Sequence, residues 1–201
     1  MKFLSLLAGA AQAQSWNEPP PALDLSAAEI SALESGEVIV RQAHEERGST
    51  GSSAALVDGT PQEFWDVVLD FDSYVRFLPY VTQSWTDDPA PGSPSNALRW
   101  GMELTTKGVV TRYRIDCLLY DEQDYMVWEM RPTGYSPLAA SRGWWRVEPW
   151  PADPTKTLVV YQVQVETAWW LPERVHKYAA DMGLETTVSQ MRRQVTLRRS
   201  R

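Results

Sequence analysis

The spacing of apolar positions along this chain changes twice. Phe64, Val67, Val68 and Phe71 recur at i, i+3, i+4 and i+7, the signature of an amphipathic helix. From Leu98 to Val165 the period drops to two. Beyond Pro172 helical spacing returns. Local signals mark the boundaries of these segments. Ser26 is placed to cap a short helix running through about Leu33, which Gly36 ends. Thr60-Pro61-Gln62-Glu63 forms a capping box with proline at the first helical position. Asp70-Phe71-Asp72-Ser73-Tyr74 punctuates that helix, a second short helical segment follows to Leu78, and Pro79 breaks it.

The period-two region predicts strands with one wet and one dry face. Leu98, Trp100, Met102 and Leu104 alternate with polar or small residues, as do Tyr113, Ile115, Cys117 and Leu119. The same holds for Met126, Trp128 and Met130, for Trp145 and Val147, and for Val159, Tyr161, Val163 and Val165. Short turn-like links between them favour an antiparallel meander. Val38-Ile39-Val40 predicts an earlier strand, and Gly48–Ser53 is a loop or the start of a small-residue strand continuing to Val57. The last helix is expected from Pro172 to about Leu197, roughly 39 Å at 1.5 Å per residue. Val175, Tyr178, Ala179, Met182 and Thr186 share one of its faces, and Leu184, Val188, Met191 and Val195 the opposite one, with a change of direction at Gly183.

Composition adds one unusual feature to this pattern. Of 201 residues, 10 are Trp and 8 Tyr against only 4 Phe. Such side chains join a large apolar surface to one polar handle, which suits either a bulky core or an aromatic-lined site. The net charge of −7 argues against a nucleic-acid partner. Residues 1–100 hold 14 acids and 5 bases, whereas 101–201 hold 12 and 14. Five arginines fall in the last ten residues, Arg192, Arg193, Arg198, Arg199 and Arg201. They read as a solvated helix end complementing the helix dipole, with transient contact to anionic lipid headgroups as the alternative. The lone Cys117 excludes an intrachain disulfide and reads as a small buried hydrophobe. Residues 1–13 place Lys2 before an apolar run ending in Ala11-Gln12-Ala13, a short version of an export signal, so a periplasmic or secreted location is expected. Residues 14–36 read as a leader with a short helix, and 37–199 as the folded domain.

Three segments carry a family resemblance. Thr60-Pro61-Gln62-Glu63-Phe64-Trp65 through Asp70-Phe71-Asp72-Ser73-Tyr74 to Phe77-Leu78-Pro79 resembles the helix pair of the START/SRPBCC superfamily, the StAR-related lipid-transfer and pollen-allergen-like proteins. Gly143-Trp144-Trp145-Arg146-Val147 with Thr157–Tyr161 resembles its late strand pair, and Leu171-Pro172-Glu173-Arg174-Val175 its approach to the long helix. The chain looks most like the coenzyme-Q-binding, polyketide-cyclase-like members. The resemblance implies an α+β helix-grip fold: a curved antiparallel sheet wrapped around a long C-terminal helix, two short helices after the first strand, and an apolar tunnel between sheet and helix.

The dry faces then supply a candidate ligand-binding set. Trp100, Met102, Tyr113 and Trp128 come from the earlier strands, Trp145 and Tyr161 from the later ones, and Tyr178 and Met182 from the helix. Phe77, Leu78 and Pro79 are placed at the pocket mouth. The plain alternative is that each of these side chains fills core. A one-residue slip would exchange Trp144 and Trp145. His44 and His176 lack partners at metal-ligand or general-base spacing, and no phosphate loop or nucleophile elbow occurs, so no catalytic set, metal site or cofactor is assigned. The expected function is to bind and sequester or carry a hydrophobic small molecule, a lipid, isoprenoid quinone or sterol-like compound, without catalysis. The alternatives are a cyclase/dehydratase-like enzyme using an acid–base residue in the same pocket, such as Tyr113 or Tyr161, and an interaction protein whose pocket is closed by side chains.

Overall fold

The computed structural model describes residues 19–45, 48–106, 108–120, 122, 124–132, 136–168 and 173–201, the side chains of 44–45, 106, 132 and 173–182 excepted. The elements run α1 (Ala27–Glu34), β1 (Ile39–Glu45), β2 (Gly48–Asp58), α2 (Pro61–Val68), a 3-10 helix (Phe71–Arg76), β3 (Val81–Asp87), β4 (Ala97–Thr106), β5 (Val109–Tyr120), β6 (Tyr125–Pro132), β7 (Leu138–Pro149), β8 (Lys156–Thr167) and α3 (Glu173–Arg199). The eight strands form one antiparallel sheet in the order β1-β2-β8-β7-β6-β5-β4-β3. Strands β3 to β8 are a meander. The first hairpin joins it by pairing β2 with the last strand, Gly48 opposite Glu166 through Asp58 opposite Lys156.

The caps form as their sequences require. Ser26 and Glu29 make a reciprocal box at α1, and Thr60 and Glu63 do the same at α2. Gly36, at φ +91°, supplies the left-handed residue after α1. The segment after α2 is 3-10 rather than α-helical, with Phe71 and Tyr74 turned inward.

The Gly/Ser-rich run is a strand, and α3 explains its composition. A Cβ at Gly51 would lie 2.3 Å from a Leu184 methyl, and Ser53 donates from its buried hydroxyl to the Leu184 carbonyl at 3.1 Å. Small side chains on the inner face of β2 let the helix come close to the sheet there. From the described half of α3, Leu184, Val188, Met191 and Val195 are buried. Arg198 pairs with Asp70 and donates to the Asp66 carbonyl, Arg199 pairs with Glu63 at 3.4 Å, and Arg192 donates to the Gly36 carbonyl at 2.9 Å. Three of the five terminal arginines thus tie the helix end to the protein.

The expectation of one wet face needs correction over β2 and β6–β8. Their outer face carries a second apolar cluster in which Leu33 of α1 lies with Leu56, Val127, Trp144, Trp150 and Leu158. The leader covers it. Leu23, Leu25 and Ile30 pack on the cluster, Arg41 pairs with Glu29 at 2.7 Å, and Arg146 donates to the Pro20 carbonyl at 3.0 Å. Hydrogen bonds from Ser26, and then Arg41, hold the Glu29 carboxyl down at about 2. Trp144 therefore faces outward yet is buried, and Trp145 faces inward. The outer face of β3 and β4, and of β5 and β6 around Asp116 and Arg131, is wet as expected. Arg99 and Arg131 both donate to Asp116, Arg114 pairs with Asp87, and Trp85 of the edge strand lies over Gly101, where a Cβ would be 2.2 Å from its ring.

Candidate ligand cavity

Inside the curve of the sheet, α3 leans on β2 and β8, while α2 and the 3-10 helix close one end. Phe64 meets Trp145 with ring centroids 5.6 Å apart, and Phe71 stacks on Trp100 at 5.0 Å with nearly parallel planes. Between the helix and strands β4–β8 a cavity of about 210 Å³ remains. Its lining includes Ser49 at the start of β2, Leu104 and Val109 at the β4–β5 hairpin, Leu138 of β7, Val165 of β8 and Gly183 of α3.

The structure brings together six of the eight side chains that the alternation placed in the site. Trp100 and Met102 of β4, Tyr113 of β5, Trp128 of β6, Trp145 of β7 and Tyr161 of β8 all line the cavity. They reach one space because direct cross-strand neighbours on one face of an antiparallel sheet point the same way: Met102 opposes Tyr113, and Trp145 opposes Tyr161. Tyr161 forms the hub of the aromatic wall, 4.4 Å from Trp145 and 6.5 Å from Trp128 between ring centroids. Trp128 fits because its opposite residue is Gly143, where a Cβ would be 2.7 Å from the Trp128 ring. The side chains of Tyr178 and Met182 lie outside the described residues. Of the three residues assigned to the mouth, Leu78 lines the cavity. Phe77 instead packs edge-on against Tyr74, at 5.6 Å, and Pro79 is exposed.

Sequence reasoning missed Tyr74, Tyr80 and Thr187. Tyr74 closes the inner end and donates to the Val68 carbonyl at 2.5 Å. The hydroxyls of Tyr80 and Thr187 lie 2.6 Å apart, a side-chain bond joining the turn before β3 to α3. The signal for Thr187 was available: with Leu184 and Met191 it falls on one face of a helix at i, i+3 and i+7. Tyr80 carries none, because it sits in the irregular turn between the 3-10 helix and β3.

The polar side chains on the described wall, tryptophans aside, are all hydroxyls: Ser49, Thr111, Ser141, Thr187 and the four tyrosines 74, 80, 113 and 161. Burial raises all four phenols above their ordinary value of 10.0, so each keeps its proton at neutral pH. Burial also pushes the Cys117 thiol up to about 12, and Trp100 donates to its sulfur at 3.3 Å, so it is no nucleophile at neutral pH. Among the described residues no group of three or more His, Cys, Asp or Glu side chains is placed to hold a metal ion. This wall can exclude water, stack on rings, and exchange hydrogen bonds with an uncharged ligand.

A curved antiparallel sheet gripping a long C-terminal helix, with a cavity between them, defines a helix-grip protein of the START/SRPBCC class. The chain belongs to the family described as polyketide cyclase / dehydrase and lipid transport, whose model matches residues 50–197. Solved structures agree on the fold. An aromatase/cyclase, Zhui, from Streptomyces sp. R1128 superposes with a TM-score of 0.61 at 13% identity, over 81% of this chain and 97% of that one. A STAR-related lipid transfer protein from Xanthomonas axonopodis gives 0.63 at 11%, over 79% and 93%. Human StAR-related lipid transfer protein 5 gives 0.61 at 17%, over 81% and 83%. No curated protein matches the sequence.

Proposed function

We propose that this protein binds a hydrophobic small molecule in the cavity and sequesters or carries it without transforming it. The observation that supports this reading best is the wall itself: aromatic and aliphatic side chains from β4 to β8 and α3 converge on one space instead of filling it. Close-packed interiors leave few voids larger than a water molecule, so an opening of about 210 Å³ at the centre of a fold calls for an occupant. Removing apolar ligand surface from water there contributes roughly 25 cal/mol per Å². The volume guides the choice among lipid, isoprenoid quinone and sterol-like ligands. A cavity of roughly 150 Å³ takes benzene. The space here suits the ring end of a quinone or the end of an acyl chain, with the remainder of a long ligand leaving past Leu104 and Val109.

Tyr113 and Tyr161 keep a second reading in view. Their hydroxyls have no hydrogen-bond partner among the described residues, and a buried phenol that holds its proton can polarise a carbonyl, one component of a cyclase or dehydratase. The same raised values make both phenols poor bases, which favours carriage. Native mass spectrometry of protein purified from its source, followed by solvent extraction, tests the proposal. A stoichiometric apolar molecule released unchanged supports it, and a protein that carries nothing and takes up no apolar probe refutes it. Export, which rests on the motif in residues 1–13, is part of the proposal and is tested by the N-terminal mass of the mature chain.

A further inference from the structure

We infer that the cavity selects by charge: its ligand is an uncharged molecule bearing a carbonyl or hydroxyl, and the anion of the same shape is rejected. The inference rests on the ligand-binding reading above and goes further, to the chemical class of the ligand.

Three observations carry it. The polar side-chain groups on the described wall are hydroxyls and tryptophan N–H groups, which donate hydrogen bonds, the hydroxyls also accepting them, without bringing a counter-charge. Two of the four tyrosine hydroxyls are unused. Tyr74 is committed to the Val68 carbonyl and Tyr80 to Thr187, whereas Tyr113 on β5 and Tyr161 on β8 face the cavity with no partner among the described residues. The surroundings are apolar. Tyr161 lies against Trp145 and near-parallel to Trp128, and Tyr113 is directly opposite Met102.

A ligand carbonyl placed between Tyr113 and Tyr161 would accept from a hydroxyl that otherwise stays unsatisfied, and a ligand hydroxyl would donate to one. A carboxylate in the same place would leave water and meet no cation on the described wall, and a buried charge without a paired countercharge is strongly disfavoured. The preference therefore comes from unequal desolvation of the two ligands, not from any difference in shape.

Three two-ring probes of nearly one shape test this with the full chain at pH 7: 2-acetylnaphthalene, 2-isopropylnaphthalene and 2-naphthoate. Binding is read from quenching of tryptophan fluorescence and confirmed by calorimetry. The ketone should bind at least tenfold more tightly than the carboxylate. Its margin over the isopropyl compound should be about fivefold and should vanish in Tyr113→Phe or Tyr161→Phe, variants that keep the ring and whose urea midpoints report intact folding. Naphthoate binding within threefold of the ketone overturns the charge selection while leaving the cavity a ligand site. Failure of all three probes to bind overturns the ligand-binding reading and this inference with it. Should a variant fail to fold, the wild-type ranking of ketone against carboxylate still decides.

Discussion

Replacing Leu33 by alanine probes a surface far from the cavity and outside the residues that the family model matches. Leu33 is 1% exposed and anchors α1 on the outer face of the sheet, within the cluster that includes Trp144 and Trp150. The change removes three carbons, about 2.4 kcal/mol at roughly 0.8 kcal/mol per buried methylene. A residual void adds to that, and buried Leu→Ala changes span about 2–5 kcal/mol. Because α1 has only eight residues and lies at the surface, it can settle toward the void, so the lower half of that range applies, about 2–3 kcal/mol. Urea denaturation should show the midpoint falling by about 1 M with little change in slope. Probe binding to the folded variant should be unchanged, since the cavity is on the opposite face. A loss below about 0.5 kcal/mol, the scale of an ordinary surface substitution, would refute the claim that the leader is part of the folded structure.

Three further outcomes follow from the geometry. Gly143→Ala would bring a Cβ to 2.1 Å from the Gln162 carbonyl and 2.7 Å from the Trp128 ring, so it should cost at least about 2 kcal/mol; an unchanged urea midpoint would refute this packing. Tyr80→Phe and Thr187→Val in a double-mutant cycle should show a coupling of about 0.5–1.5 kcal/mol in urea denaturation, and additive effects would refute the bridge to α3. The raised phenol values predict an alkaline limit. Stability from Tyr74, Tyr80, Tyr113 and Tyr161 is full below the unfolded value of 10.0 and is lost as pH rises through their folded values. Urea midpoints should therefore fall above pH 10, and phenolate absorbance from these four at pH 10 in still-folded protein would contradict their burial.

Period and capping made most of the inner face legible. Trp100, Met102, Tyr113, Trp128, Trp145 and Tyr161 were readable because a half-buried antiparallel strand fixes which residues share a side. What escaped did so for definable reasons. Strand β3 is a short edge strand whose Thr82, Gln83 and Thr86 are exposed, so it carries little apolar alternation. Strand β2 is ambiguous in sequence at Gly48–Ser53, readable as a loop or as a small-residue strand, because its small residues answer to a helix more than 130 positions away, through the contact of Ser53 with Leu184. The buried outer face was invisible because Trp144, Val127 and Leu158 alternate as solvent-facing residues do; only the docking of α1 covers them. The arginine run was readable as a helix end, but its use as a clasp onto Asp70 and Glu63 depends on tertiary placement.

The central claim is that the space between sheet and helix holds a ligand. Three methionines line it from three elements, Met102 on β4, Met126 on β6 and Met191 on α3. With methyl-labelled methionine, nuclear Overhauser contacts between bound 2-acetylnaphthalene and these methyls test the claim most directly. The account predicts contacts from the probe to all three methyls at a single occupancy. A probe that binds yet contacts none of the three would place its site elsewhere and contradict the account.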